Sequence, residues 1–145
     1  MDNKQTNSIH CEIDMIPPRV TYQMHRIAFN PKTHRPYTYR TAKQVDACKQ
    51  IEQALLPFAP EQPIDGPISV WFEVRFPHNK TAPKSEKESL EVPMVTRPDV
   101  DNIWKQWGDI CTKLGFWQDD SQIVQLTLRK IKSSRPGVTL HISQY

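Results

Sequence analysis

Acidic residues are missing from a long stretch of this chain. Between Met15 and Val45 there is no Asp or Glu, while Arg19, Arg26, Lys32, Arg35, Arg40 and Lys43 fall in that window with His25 and His34. A net charge of only +3 therefore hides a basic segment suited to a polyanionic partner. Glycine is scarce, 4 residues against 13 prolines, which predicts long stiff connections rather than tight glycine turns. The three cysteines, Cys11, Cys48 and Cys111, are odd in number and far apart. They exclude a disulfide framework and a Cys-x-x-Cys zinc pair, and read as reduced, partly buried thiols. No apolar run approaches the roughly 20 residues that cross a bilayer. The first residues carry no apolar signal-peptide core, so the cytoplasm is the expected compartment. There is no internal repeat and no low-complexity segment.

What remains is ordinary globular material. The 145 residues, 37% hydrophobic and 24% charged, fit one domain with a real core. Ile9, Cys11 and Ile13 alternate with polar residues and predict a first strand. The basic window 15–45 follows, with Tyr22, Phe29, Tyr37 and Tyr39 among its cations and Pro31 and Pro36 breaking it into a loop or irregular hairpin. It reads as a nucleic-acid arm, with cations on phosphates and an aromatic stacked on a base. The alternative is a solvated loop pinned to the core by its tyrosines. Thr41-x-x-Gln44 has the form of a capping box, and Val45, Cys48, Ile51 and Leu55 follow at helical spacing until Pro57. Ile68 to Phe76 alternates strictly, a strand with one apolar face. Residues 78–96 are polar and predict a mobile surface loop. Ile123 to Ile131 and Val138 to Ile142, separated by a Ser-Ser-Arg-Pro-Gly turn, predict an antiparallel C-terminal hairpin. The sum is an α+β single domain with a mixed or antiparallel sheet of about four strands and two main helices.

The chemistry concentrates in residues 97–131. Ile103, Trp104, Trp107, Ile110, Cys111 and Leu114 form a helical stripe, and Gly115 is its natural stop. Asp99 and Asp101 precede or open this helix; Asp119 and Asp120 follow it. Crowded carboxylates raise each other's pKa. A divalent cation removes that cost, and oxygen-only donors suit Mg²⁺ or Mn²⁺, so the stretch reads as a metal-dependent nuclease site. Asp101, Lys105 and Asp109 stand at i, i+4 and i+8 on one face. Asp99 and Asp101 would diverge by about 200° in a helix, so they converge only where the entry is extended, as Pro98 favours. The helix spans about 20 Å, and Asp120 returns to Asp99 and Asp101 of its own chain only if 115–120 run almost straight back. Packing of Phe116 and Trp117 on the helix favours that route; the other option is an Asp120 supplied by a dimer partner. Taken singly, an Asp-x-Asp is more often a cap, an Asp-Asp a turn, and Asp101–Lys105 a surface ion pair of a few tenths of a kcal/mol.

Taken together, Pro98, Asp99, Asp101, Asn102, Lys105, Asp109, Trp117, Asp119, Asp120, Ser121 and Gln122 resemble the signature of the RusA family of Holliday-junction resolvases. The specific resemblance covers about residues 97–131. It implies a small homodimer, often phage- or prophage-borne, that nicks opposed strands of a four-way DNA junction in a Mg²⁺-dependent hydrolysis. Carried over by motif position, Asp99, Asp101 and Asp120 are metal-binding and catalytic, Lys105 is a catalytic cation, and Asp119 is a further candidate ligand. Arg19, Arg26, Lys32, Arg35 and Arg40 of the arm are candidate DNA contacts. Lys130 is either a phosphate contact or a solvated strand end. The competing readings are a nuclease acting on forks or flaps, and a non-catalytic DNA-binding module whose acids are caps.

Overall fold

The computed structural model describes residues 7–21 and 26–145; Tyr22 and His25 of the basic window lie outside the described residues. Ten elements follow in order: β1 (Ser8–Asp14), β2 (Arg26–Phe29), β3 (Pro36–Tyr39), α1 (Ala42–Leu55), β4 (Ile68–Phe76), α2 (Lys84–Lys87), β5 (Val92–Pro93), α3 (Val100–Lys113), β6 (Ile123–Lys132) and β7 (Gly137–Gln144). The architecture is α+β. A mixed sheet of order β1-β7-β4-β6-β5 carries α1 and α3, and β2 and β3 form a separate two-stranded ribbon.

The strict alternation of β4 makes it the centre of the sheet. Val70, Phe72 and Val74 register with Ile142, Leu140 and Val138 of β7, and these with Ile9, Cys11 and Ile13 of β1. Rows of apolar side chains thus share one face, and α1 and α3 cover it with Ile51, Leu55, Ile103, Trp107, Ile110 and Cys111. Phe72 meets the rings of Trp104 and Trp107 at 5.3 and 5.7 Å. The opposite face is polar. There Glu73, buried at 7% exposure, pairs with Arg75 at 3.0 Å and Arg129 at 2.8 Å, and Arg75 also pairs with Glu12 at 2.7 Å. A buried carboxylate is tolerable because both its oxygens are matched by cations.

One expectation changes. The C-terminal hairpin does not form, because β4 lies between β6 and β7, antiparallel to β7 and parallel to β6. Alternation marks two strands but says nothing about a third inserted between them. Along β6, Val124 and Leu126 are 55% and 39% exposed; β6 has only the two-residue β5 beyond it, and a register shift falls at its start. The connection 78–96 runs mostly over the surface, contains the short α2 and β5, is tied by His78 Nε2 to Ser89 O at 2.8 Å, and buries Met94.

The helices follow their sequence signals closely. Thr41 and Gln44 make the reciprocal capping box of α1, and Gln44 reaches Thr21 O at 2.9 Å, tying the basic segment to the helix. The buried positions of α1 are Gln44, Ala47, Ile51 and Leu55, a stripe rotated away from Val45. In α3 the expected stripe is inward, and Gly115 at φ +81° ends it, a left-handed conformation that costs glycine nothing. Because β4 and β6 are parallel, α3 is their crossover connection. It starts at the carboxyl edge of the sheet and finishes at the amino edge.

Candidate active site

The crossover decides where each acid sits. Asp99 is the N-cap of α3, with extended backbone and no side-chain capping bond. Asp101 lies in the first turn. Both are exposed at the positive end of the helix, where carboxylates are favoured. Asp99 is extended and Asp101 helical, the backbone condition that convergence of the two carboxylates requires.

Two cations flank this end. Lys130, near the end of β6, donates to Thr96 O at 2.6 Å and Pro98 O at 2.7 Å, bracing the turn that presents Asp99. Burial holds its ammonium pKa below the usual lysine range, while the charge of Asp99 opposes that shift and the charge of Arg19 adds to it. Arg19 lies over the Phe76 ring at 5.3 Å. Lys130 is thus an internal brace as well as a nearby charge.

Asp119 and Asp120 stand at the opposite edge, at the entry to β6. Phe116 and Trp117 do pack back on the helix, both fully buried, with Trp117 6.4 Å from Trp104 ring to ring. The following turn, Asp120–Gln122, is closed by a second capping box. Asp119 Oδ1 accepts from Ser121 N at 2.8 Å, which holds its carboxyl below the usual range. Gln122 accepts from Asp119 N at 3.0 Å and donates to Ile64 O and Gly66 O, each at 2.9 Å. Asp-Asp-Ser-Gln is therefore a local frame that aims Asp120.

The frame aims Asp120 along α3 rather than toward its start. Asp120 Oδ1 accepts from the Thr112 hydroxyl and from Trp117 Nε1 at 3.1 Å, and Trp117 Nε1 also reaches Thr112 Oγ1 at 2.8 Å. Asp109 lies beside this group and lines the same cavity as Asp120. Partial burial and the charge of Asp120 raise the Asp109 pKa against the opposing charges of Lys105 and Arg40. A cavity of about 210 Å³ is lined by Trp104, Lys105, Gly108, Asp109, Asp120 and Ile123.

One chain thus presents two carboxylate pairs, Asp99 with Asp101 and Asp109 with Asp120. Asp101 and Asp109 are eight helical rises apart, about 12 Å, with Lys105 between them. Among the described residues no group of three or more His, Cys, Asp or Glu could hold a metal ion. The donors are all oxygen, which fits Mg²⁺. That ion is commonly held by one or two carboxylates, with waters and substrate phosphate oxygens completing its shell. Thr112 was not singled out from the sequence. Its signal was present, since i, i+4, i+8 and i+11 from Asp101 fall on one helical face.

The candidate DNA contacts divide by place. Arg19 stands by the Asp99 end. Arg26 is on β2, Lys32 and Arg35 are in the ribbon's turn, and Arg40 ends the ribbon where a cleft of about 380 Å³ runs to Asp109 and Lys113.

A family profile described as Endodeoxyribonuclease RusA matches residues 16–143. A Lactococcus phage r1t protein named crossover junction endodeoxyribonuclease rusA is 39% identical over 50 residues, 34% of this chain and 38% of that protein. A Bacillus subtilis (strain 168) protein named uncharacterized protein YqaN is 37% identical over 90 residues, 59% of this chain and 63% of its own length. Each match spans less than two thirds of the relative's length.

Proposed function

The chain belongs to the RusA endodeoxyribonuclease family, and from that membership we propose that it is a Mg²⁺-dependent endodeoxyribonuclease that resolves four-way DNA junctions by paired nicks, in recombination and repair. The observation that carries this reading is the start of α3. Two exposed carboxylates, Asp99 and Asp101, share the helix's positive end, with Lys105 one turn on and Arg19 and Lys130 beside them.

In this reading Asp99 and Asp101 hold the ion with substrate phosphate oxygens, and Mn²⁺ can substitute. The ion, when bound, supplies an activated water and neutralises phosphate charge. Lys105 stabilises negative charge that grows on the scissile phosphate. Arg19 and the ribbon cations Arg26, Lys32, Arg35 and Arg40 contact the backbone, so recognition is by shape and charge rather than base sequence. A two-fold homodimer sets two such sites against opposed strands of a junction. Asp120, with Asp119 beside it, completes the acid set either across the dimer axis or after Asp120 leaves Thr112.

The test compares a labelled four-way junction, fork, flap and linear duplex in Mg²⁺ and in EDTA. Symmetric nicks in the junction that vanish in EDTA are expected. Equal cutting of all four substrates defeats junction specificity, and cutting of none defeats the nuclease reading.

A further inference from the structure

The ribbon β2–β3 exposes apolar side chains on both of its faces. Arg26 pairs with Tyr39, Ile27 with Thr38, Ala28 with Tyr37 and Phe29 with Pro36, and paired residues share a face. One face therefore carries Ile27, Phe29 and Pro36; the other carries Tyr37 and Tyr39, whose rings lie 6.2 Å apart. Ile27 and Phe29 are 67% and 69% exposed, and Tyr37 and Tyr39 are 49% and 42% exposed. A two-stranded ribbon is marginal alone in water, and contiguous exposed apolar surface marks a binding site.

The turn is nevertheless preformed. Asn30 Oδ1 accepts from Lys32 N at 2.9 Å and Thr33 N at 3.3 Å, Asn30 N donates to Arg35 O at 3.0 Å and His34 N to Asn30 O at 2.8 Å. Organisation before binding lowers the ordering cost of association.

Charge identifies the partner. The ribbon lies in the acid-free segment, with Lys32 and Arg35 at its turn. At its base a cleft of about 460 Å³ is lined by Arg26, Tyr39 and Lys43 among others. Its last cation, Arg40, acts electrostatically on Asp109, so the ribbon springs from beside the candidate active site. A polyanion explains the cations but not the apolar faces, because an intact duplex hides its base faces. A branch point exposes them, and apolar side chains inserted at unstacked steps are a known physical device.

We propose that the β2–β3 ribbon is a wedge that seats Phe29 and Ile27 against base faces at a DNA branch point while its cations hold the flanking phosphates. This rests on the nuclease reading above.

The test uses the full chain in Ca²⁺ with four-way junctions carrying 2-aminopurine next to the branch. The wild type is expected to raise the fluorescence. Phe29→Ala should abolish the rise and weaken junction binding about tenfold, with linear-duplex binding unchanged, and Phe29→Trp should restore both. Equal loss on junction and duplex, a persisting rise with Phe29→Ala, or conversion of a dimer to a monomer by that variant in sedimentation overturns the wedge; the last would make the ribbon an interface between copies. Junction cutting by wild type and Phe29→Ala at the same rate and affinity sinks the wedge alone. A wild type that neither binds nor cuts junctions sinks the nuclease reading beneath it.

Discussion

The two ends of α3 set their carboxylates in different surroundings. At the start, Asp99 makes no capping bond and Asp101 faces solvent, with cations nearby. Farther along, Asp120 is bonded to Thr112 and Trp117 and lies beside Asp109. The first pair is open to an external cation. The second pair is exposed as well, but protein donors already hold Asp120, and its charge helps raise the Asp109 pKa. The difference comes from topology. A crossover helix between parallel strands has one end at each edge of the sheet, so acids that flank it in sequence are driven apart in one chain.

Neutralising the open pair should have the largest effect. Asp99→Asn or Asp101→Asn is expected to lower junction cleavage by roughly a thousandfold, the scale of losing a preorganised electrostatic group, with junction binding in Ca²⁺ retained. Wild-type cutting by both variants removes the site from the start of α3. Asp120→Asn is expected to be as inactive, and mixing then separates the two routes to a complete set. A heterodimer of one Asp99→Asn chain and one Asp120→Asn chain regains nicking on one strand if the acids meet across the dimer axis. It stays inactive if each chain supplies its own.

How much of this was legible in the sequence depends on the range of the signal. Local signals worked: the capping box at Thr41 and Gln44, the alternation of Ile68 to Phe76, the stripe of α3 and its stop at Gly115 each appear where periodicity or turn chemistry put them. Asp99, Asp101, Asp119, Asp120 and Lys105 stand out by spacing, and the arm cations by the absence of acids around them; their roles are the proposal above. Non-local facts were hidden. Nothing between Lys132 and Gly137 announces that β4 separates β6 from β7, nor that β6 runs parallel to β4, the relation that puts Asp120 at the far edge. The partners of Asp120 were half visible, since Thr112 shares a face with Asp109 but hydroxyls on helices are usually solvated. Lys130 could be read as a phosphate contact because a strand-end lysine looks the same whether it meets DNA or a carbonyl.

Lys130 sharpens the comparison from the open end, with a middling effect. Lys130→Met removes the donors to Thr96 O and Pro98 O and loosens the turn before Asp99. Turnover should fall about tenfold or more, within the range that small misplacements cost. The slope of junction affinity against salt should stay as in the wild type. A slope lower by about one phosphate contact, with turnover preserved, would make Lys130 a DNA contact and remove its bracing role.

Thr112 tests the far end, and the smallest effect belongs there. Thr112→Val keeps the shape and deletes one donor to Asp120, while Trp117 Nε1 still reaches that carboxylate at 3.1 Å, so no buried N–H is left alone. The stability cost should stay near 1 kcal/mol or below. If Asp120 works from the position Thr112 gives it, cleavage falls roughly fivefold, the worth of about one such bond, Thr112→Ser restores it, and the melting temperature hardly moves. If Asp120 must leave Thr112 to act, the same substitution frees it and cleavage holds or rises. The direction of change in rate at constant stability therefore reports whether the bonded state of Asp120 is its working state or its resting one.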